Sequence, residues 1–189
     1  MKILDFLKPK TPPMLGVDIS SSAVKMVELS STGKAYCIER YVIEPLPKDA
    51  VVDGNIANLE AVGDALKRAW RLMGPRIRNV ALALPAAAVI TKKITIAADL
   101  SENEMETQVE AEANQYIPFA LDEVNLDFQV LGPSPATPDE VEVLVAASRK
   151  EKVEDRVAAA ESAGLKAVVM DVESFATLTS YELIQKQLP

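Results

Sequence analysis

A short run near the start of the chain combines side chains that hold phosphate groups in proteins. Asp18 lies among alternating apolar residues that predict a strand, and serines separate it from a second apolar run. Serines in a tight turn leave backbone N–H groups free to meet an anion, and a carboxylate at a strand end can hold magnesium beside phosphate oxygens. The candidate phosphate-binding residues are Asp18, Ser20, Ser21, Ser22 and Lys25, with Asp18 also the candidate magnesium ligand. An ordinary surface hairpin with a polar turn is the alternative interpretation.

The composition excludes several classes of function. The chain has 189 residues, 49% of them hydrophobic and 25% charged, which is typical of a globular protein with a sizeable core. It contains no histidine, so serine–histidine hydrolysis and histidine-based metal chemistry are excluded. The net charge of −8 argues against nonspecific nucleic-acid binding, because such binding requires a basic face.

The cellular compartment is predicted from membrane signals and cysteine content. No apolar run approaches the roughly 20 residues needed to cross a bilayer, and no signal segment opens the sequence. We therefore predict a cytoplasmic protein. The single cysteine, Cys37, fits a reducing compartment, and we expect its thiol to be buried.

The hairpin must be positioned by a sheet, and hydrophobic periodicity predicts the strands of that sheet. After a flexible tail at residues 1–13, three strand patterns are followed by a helix with Asn58 as its cap and Gly74 after its end. A short apolar strand comes next. The predicted strands are Met14–Ser20, Ala23–Ser30, Ala35–Ile43 and Val80–Leu84, and the helix runs to Met73.

A second group of elements interrupts this order. It consists of a strand at Val89–Ile96, a helix opened by the capping box Ser101–Glu104, and two strands with strict alternation. A helix, a strand and a helix then complete the chain. We predict that residues 88–148 form an inserted βαββ subdomain as a separate small lobe, and that residues 14–87 and 149–189 form the core.

Three stretches of the chain resemble signature sequences of the PilM family of type IV pilus assembly proteins. They are Gly16–Lys25, Gln115–Val124 and Val169–Ala176, and the likeness runs from about Met14 to the end. The order of elements also resembles an actin-like (ribonuclease H-like) ATPase fold with the insertion of FtsA-like proteins. The predicted fold class is α/β, the first half of an actin-like βββαβα fold with an inserted βαββ subdomain.

The resemblance implies that the complete, two-lobed protein binds ATP and magnesium. Asp18 matches the magnesium-associated aspartate, and Ser20, Ser21, Ser22 and Lys25 match the first phosphate-binding turn. Ser20 stands where actin-like proteins often have glycine, which weakens the expectation of close phosphate contact. The second phosphate turn belongs to the other half of the fold, so we expect this chain alone to bind ATP weakly or not at all.

A second candidate site surrounds Pro118, which predicts a sharp corner flanked by Tyr116, Ile117 and Phe119. Core packing is one interpretation of these side chains. The other is a groove between insertion and core that binds an extended apolar peptide. The resemblance implies that this peptide is the cytoplasmic N-terminal tail of PilN, which would place the protein at the inner face of the inner membrane, in contact with the membrane only through its partner. Other pilus assembly proteins are further possible partners, and no nucleic acid is expected.

The expected function is a scaffold and adaptor of the type IV pilus machinery, without enzymatic activity. Two alternatives remain open on the sequence. A sugar or acid kinase of the same superfamily would use Asp18 or Asp171 in phosphoryl transfer, although Asp171 is equally suited to be an ordinary acid at the start of a helix. An FtsA-like protein would form filaments.

Overall fold

The computed structural model describes residues 13–31 and 35–185, which form two compact units. Within the described residues, unit 1 contains residues 13–83 and 157–170, and unit 2 contains residues 84–156 and 171–185. Apart from Pro13, the tail predicted at residues 1–13 lies outside the described part of the chain. No helix among the described residues has the length and apolarity needed to cross a membrane.

The secondary-structure elements follow the order that the periodicity predicts, and their ends differ by a few residues. The strands are β1 (Leu15–Ile19), β2 (Ala23–Ser31), β3 (Tyr36–Pro45), β4 (Val51–Val52), β5 (Asn55–Ile56), β6 (Asn79–Leu84), β7 (Ile90–Ala97), β8 (Val124–Pro133), β9 (Glu140–Arg149) and β10 (Lys166–Val172). The helices are α1 (Leu59–Met73), α2 (Glu102–Ala113), α3 (Lys150–Ser162) and α4 (Glu173–Gln185).

The sheet of unit 1 has the strand order β10–β6–β1–β2–β3. Strand β1 runs antiparallel to β2 and parallel to β6, and β2 runs antiparallel to β3. The β1–β2 register sets Asp18 directly opposite Lys25 and Ile19 opposite Val24. The predicted hairpin is therefore present, and its serines lie in the turn between the two strands.

Helix α1 begins and ends at the cap residues that the sequence predicts. The Asn58 side chain accepts a hydrogen bond from the backbone N–H of Ala61 at 2.9 Å, and Gly74 follows the helix with a φ of 65°. The buried face of α1 packs on the sheet. The core of unit 1 includes Leu15, Val17, Ile19, Val24, Met26, Val62, Leu66, Ala69, Val80 and Leu82. Leu59 is 41% exposed, since it is the first residue of the helix.

A second, smaller hairpin was not predicted. Strands β4 and β5 pair antiparallel around Asp53 and Gly54, which have φ values of 49° and 76°. Two consecutive residues with positive φ form the tight turn that Asp-Gly sequences favour between antiparallel strands. The Asp-Gly pair was the available signal, but strands of two residues are too short to show a period.

Unit 2 has a three-stranded antiparallel sheet in the order β7–β9–β8. The strand predicted at Val89–Ile96 lies in this sheet and not beside β1. Two clusters of buried residues stabilise the unit: Ile96, Val109, Val143 and Val145 form one, and Ala113, Ile117, Val124 and Ala147 form the other. Alternating residues of β9 supply both clusters, as its period-two pattern predicts.

The predicted capping box opens α2. The Glu104 carboxylate accepts hydrogen bonds from the Ser101 hydroxyl at 2.6 Å and from the Ser101 backbone N–H at 2.8 Å. These two bonds favour the charged form and hold the pKa of Glu104 below its ordinary value. Because a lowered folded-state pKa contributes stability above the unfolded pKa, this contribution is lost as the pH falls through the folded-state pKa of Glu104.

The sequence-based expectation for Cys37 differs from the structure. The Cys37 thiol, expected to be buried, is exposed. Cys37 lies near the start of the edge strand β3, where residues 36–41 are all exposed, and alternation along a strand does not show whether that strand is an edge. The assignment of residues 14–87 and 149–189 to one core stays a prediction. The insertion boundaries at 88 and 148 stay predictions.

Candidate functional site

The carboxylate and the lysine of the β1–β2 hairpin form an ion pair. The Lys25 ammonium nitrogen lies 2.7 Å from Oδ2 of Asp18, and both side chains are about half exposed. Alternate residues of β1 are buried against the core, so Asp18 lies on the opposite face of the sheet. Because both side chains are exposed, an anion can reach Lys25 and a cation can reach Asp18. The ion pair itself contributes only about 0–1 kcal/mol to stability, so replacing it by such a contact costs little.

The serine turn offers donors at two of its three positions. The Ser20 backbone N–H and hydroxyl both donate to the carbonyl oxygen of Ala23, at 3.0 and 2.8 Å. Ser20 therefore closes the turn. Ser21 and Ser22 are exposed, and within the described residues their backbone N–H groups donate no hydrogen bond. These two N–H groups, with Lys25, are the donors that could contact a phosphate.

Ser20 needs no glycine-like conformation here. Among the described residues, positive φ values outside glycine occur at Asp49 and Asp53. The serine therefore adopts ordinary backbone angles where actin-like proteins often have glycine. Its side chain stabilises the turn without backbone strain.

Asp18 can hold only part of a magnesium shell. In the part of the chain that the structure describes, no three His, Cys, Asp or Glu side chains converge as a metal site. Magnesium in nucleotide sites is commonly held by one or two carboxylates together with phosphate oxygens and water. The hairpin fits that arrangement, with Asp18 as the protein ligand and the nucleotide as the source of the other oxygens.

Asp171 caps the backbone of its own strand end. Its Oδ1 accepts a hydrogen bond from the backbone N–H of Val172 at 2.7 Å, immediately before α4 begins. An acidic side chain in this position is favoured by the dipole of the following helix. This local bond supports the structural interpretation of Asp171.

The corner around Pro118 divides its three predicted residues between the core and the surface. Ile117 is 5% exposed and packs with Ala113, Val124 and Ala147 in the core of unit 2. Tyr116 packs partly buried against the same cluster, and the Phe119 ring is 36% exposed. For Ile117 the structure therefore supports core packing, and Phe119 is the accessible anchor of the corner.

Two basic side chains lie over the aromatic rings of the corner. The Lys92 ammonium nitrogen is 4.3 Å from the centroid of the Tyr116 ring, and the Arg149 guanidinium carbon is 5.3 Å from that of Phe119. Both distances fall within the range of cation–π attraction. Lys92 and Arg149 come from β7 and β9, far from the corner in sequence, so no local pattern could predict their contribution.

The Tyr116 hydroxyl is buried and has no hydrogen-bond partner in the described part of the structure. Desolvation raises the pKa of Tyr116, and the nearby Glu112 carboxylate raises it further. The pKa of Tyr116 therefore lies above its ordinary value because of burial and the Glu112 carboxylate. The corner combines two aromatic rings with two cations, a surface suited to an apolar peptide that carries carbonyl or carboxylate groups.

Comparison with known proteins identifies the family. A family model described as type IV pilus assembly protein PilM matches residues 16–189. The chain belongs to this family. The resemblance carried by the Gly16, Gln115 and Val169 stretches is thereby confirmed, and a pilus assembly family is favoured over the kinase alternative.

Two solved structures are similar to this PilM-family chain. A PilM–PilN type IV pilus biogenesis complex shares 35% sequence identity with a TM-score of 0.79, over 90% of this chain and 50% of that one. This match confirms the predicted actin-like α/β fold class. The chain thus spans about half the length of the protein it matches.

The second structure is the cytoplasmic domain of EpsL, an inner membrane component of the type II secretion system of Vibrio cholerae. It matches with a TM-score of 0.51 and 13% identity, over 84% of this chain and 56% of that one. At this identity the likeness shows a shared fold alone.

Proposed function

We propose that this chain is the partner-docking part of a cytoplasmic scaffold for type IV pilus assembly, and that its partner is the cytoplasmic N-terminal tail of a PilN-like inner-membrane protein. The observation that carries the proposal is the 35% identity, over 90% of the chain, to a protein solved in complex with PilN. No catalytic step is part of the proposal.

The corner at Tyr116–Phe119 is the docking surface that we assign to the tail. The Phe119 ring is accessible, and the Arg149 guanidinium beside it pairs with Glu151 at 3.1 Å and has further N–H groups for peptide carbonyl groups. The buried side chain of Ile117 packs in the core of unit 2 and thereby fixes the backbone near Phe119. A rigid aromatic anchor of this kind binds a peptide with little loss of side-chain entropy.

The expected affinity is micromolar. Burying a few aliphatic peptide side chains contributes roughly 1.5–3 kcal/mol each, and association costs offset a large part of that gain. Such an interaction would hold the protein at the inner face of the inner membrane through its partner. At this affinity the protein would still bind to and dissociate from its membrane partner.

Binding of the tail can be measured by fluorescence anisotropy with a labelled PilN-tail peptide and the 189-residue chain. We expect saturable micromolar binding, and we expect Phe119→Ala to weaken it about tenfold, which corresponds to about 1.4 kcal/mol. The matched control is Leu131→Ala, since Leu131 is 44% exposed on β8 and lies outside the corner. Absence of binding by folded protein, or equal effects of the two variants, would contradict the proposal.

We further propose that the complete protein binds magnesium–ATP and that the β1–β2 hairpin supplies the first phosphate turn. The half-exposed Asp18–Lys25 pair and the unbonded N–H groups of Ser21 and Ser22 support this role. When bound, ATP would bring the phosphate oxygens that complete the magnesium shell. Lys25 would then exchange its contact with Asp18 for one with a phosphate.

Calorimetric titration tests the hairpin. We expect the complete protein to bind magnesium–ATP, Asp18→Ala to lower that affinity about tenfold or more, and the 189-residue chain to bind weakly or not at all. Asp64→Ala is the control, because Asp64 is an exposed carboxylate on α1 of the same unit. Unchanged affinity in the Asp18 variant would remove Asp18 from the site, and tight binding by the 189-residue chain would show that one phosphate turn suffices.

A further inference from the structure

Strand β3 is an edge of the unit 1 sheet and has large apolar side chains that are exposed to solvent. Within the described residues, β2 is its single sheet neighbour. Tyr36, Ile38, Tyr41 and Ile43 are 61%, 66%, 72% and 59% exposed. Edge strands in soluble proteins are usually protected by charged residues, prolines or bulges, and β3 has a bulge and the charged pair Glu39–Arg40 but still exposes four large apolar side chains.

The strand register places these four side chains on one face of the sheet. Tyr41 lies opposite Val27 and Ile43 lies opposite Lys25, on the face that also carries Asp18. The register shifts between Glu28 and Leu29, so that Ile38 lies opposite Leu29 and Tyr36 opposite Ser31. This bulge returns the even-numbered Tyr36 and Ile38 to the face of the odd-numbered Tyr41 and Ile43.

The opposite face of β3 is covered near the end of the strand, where Val42 and Glu44 are partly buried. Val42 packs against the core beneath α1. Arg40 pairs with Glu28 at 2.9 Å, and Glu44 pairs with Arg68 of α1 at 2.6 Å. We call the four exposed apolar residues Tyr36, Ile38, Tyr41 and Ile43 the β3 strip. They lie on the face of the sheet opposite to α1.

The order of residues in β3 is self-complementary. Two apolar strip residues precede the central pair Glu39–Arg40, and two follow it. In an antiparallel copy, Tyr36 meets Ile43 and Ile38 meets Tyr41, while Glu39 of each copy meets Arg40 of the other. Within one copy, Glu39 accepts a hydrogen bond from the Ser30 hydroxyl and Arg40 pairs with Glu28, so the pairing across the axis adds to these contacts or replaces them. Opposite charges at the centre and apolar pairs on either side favour pairing of identical strands.

We propose that two copies of this chain associate through antiparallel pairing of their β3 strands about a two-fold axis. The pairing joins two five-stranded sheets into one and satisfies the open hydrogen-bonding edge of each strand. It also brings the β3 strips of the two copies into lateral contact, which buries part of their apolar surface. The site belongs to unit 1 and the Phe119 corner belongs to unit 2, so the pairing does not depend on the proposed function.

Sedimentation equilibrium over a concentration series tests the pairing with the full 189-residue chain. We expect a monomer–dimer equilibrium, and we expect Tyr41→Lys to raise its dissociation constant at least about tenfold, since two lysines would enter the interface. Leu72→Lys is the matched control, because Leu72 is 71% exposed on α1. An unchanged thermal melting curve for each variant establishes that it is folded.

Charge reversal tests the register. In a dimer of the Glu39→Arg variant, arginine would face arginine at both positions across the axis. In a dimer of the Arg40→Glu variant, glutamate would face glutamate. Like charges repel, so each variant alone should be monomeric. An equal mixture of the two should dimerise again, because every pair then has opposite charges. A wild-type chain that stays monomeric at millimolar concentration, or a mixture that fails to restore dimers, would overturn the proposal. Dimerisation that appears only after deletion of residues 1–12, or only with added PilN-tail peptide, would assign the strand to another occupant and would also overturn it.

Discussion

Replacement of Leu66 by alanine is expected to lower the free energy of unfolding by about 2–5 kcal/mol. The Leu66 side chain is fully buried where α1 packs on the sheet of unit 1. Its truncation loses the transfer free energy of the removed methyl groups and leaves a cavity in a close-packed core. A loss of this size is a large share of the total stability of a domain.

Urea denaturation followed by tryptophan fluorescence measures this loss. Trp70 is the single tryptophan, and its indole N–H donates to the carbonyl oxygen of Ile77 at 3.0 Å within unit 1. Its emission therefore reports on the unit that carries Leu66. Leu72→Ala on the same helix is the control, because Leu72 is 71% exposed and should change stability by less than about 0.5 kcal/mol. Equal losses in the two variants would show that α1 does not pack as described.

Gly63→Ala is expected to destabilise unit 1 by about 1–3 kcal/mol. A Cβ atom at position 63 would overlap Oγ of Ser162 at the end of α3 and would lie 3.3 Å from its Cβ. Ser162 cannot move without cost, since its hydroxyl donates to the carbonyl oxygen of Ala159 at 2.8 Å. The steric cost opposes the gain of about 1 kcal/mol that alanine normally has over glycine within a helix.

A double-mutant cycle with Ser162→Ala separates the steric cost of the Gly63→Ala substitution from its gain in helix propensity. Removing the Ser162 hydroxyl relieves the shortest contact, so Gly63→Ala should cost less in that background than in the wild type. The same urea titration gives all four free energies. A Gly63→Ala variant more stable than the wild type would show that helix propensity outweighs the contact and that α1 and α3 can separate.

Elements with local signals were predictable from the sequence. Asn58 and Gly74 bound α1 as expected, since capping depends on residues within one turn. The β1–β2 hairpin with Asp18 opposite Lys25 followed from alternation on both sides of a polar turn. The family resemblance rested on residues in such elements.

The second candidate site was predictable only in part. Pro118 and its aromatic neighbours predicted a corner, but the pattern left core packing and partner binding open for all three side chains. The structure buries Ile117 and exposes Phe119. It also brings Lys92 and Arg149 over the two rings from strands distant in sequence.

The sequence by itself determined the order and type of the elements except the short β4–β5 hairpin, the two turns that carry candidate sites and the family. Tertiary structure alone decided which strand is an edge, why Cys37 is exposed, and how a bulge opposite Glu28 gathers the β3 strip on one face. Secondary structure follows from hydrogen bonds and periodicity over a few residues, which a sequence displays directly. Whether a side chain is buried, and on which face of the sheet it lies, depends on which distant segments pack together. Those contacts are set by the whole chain.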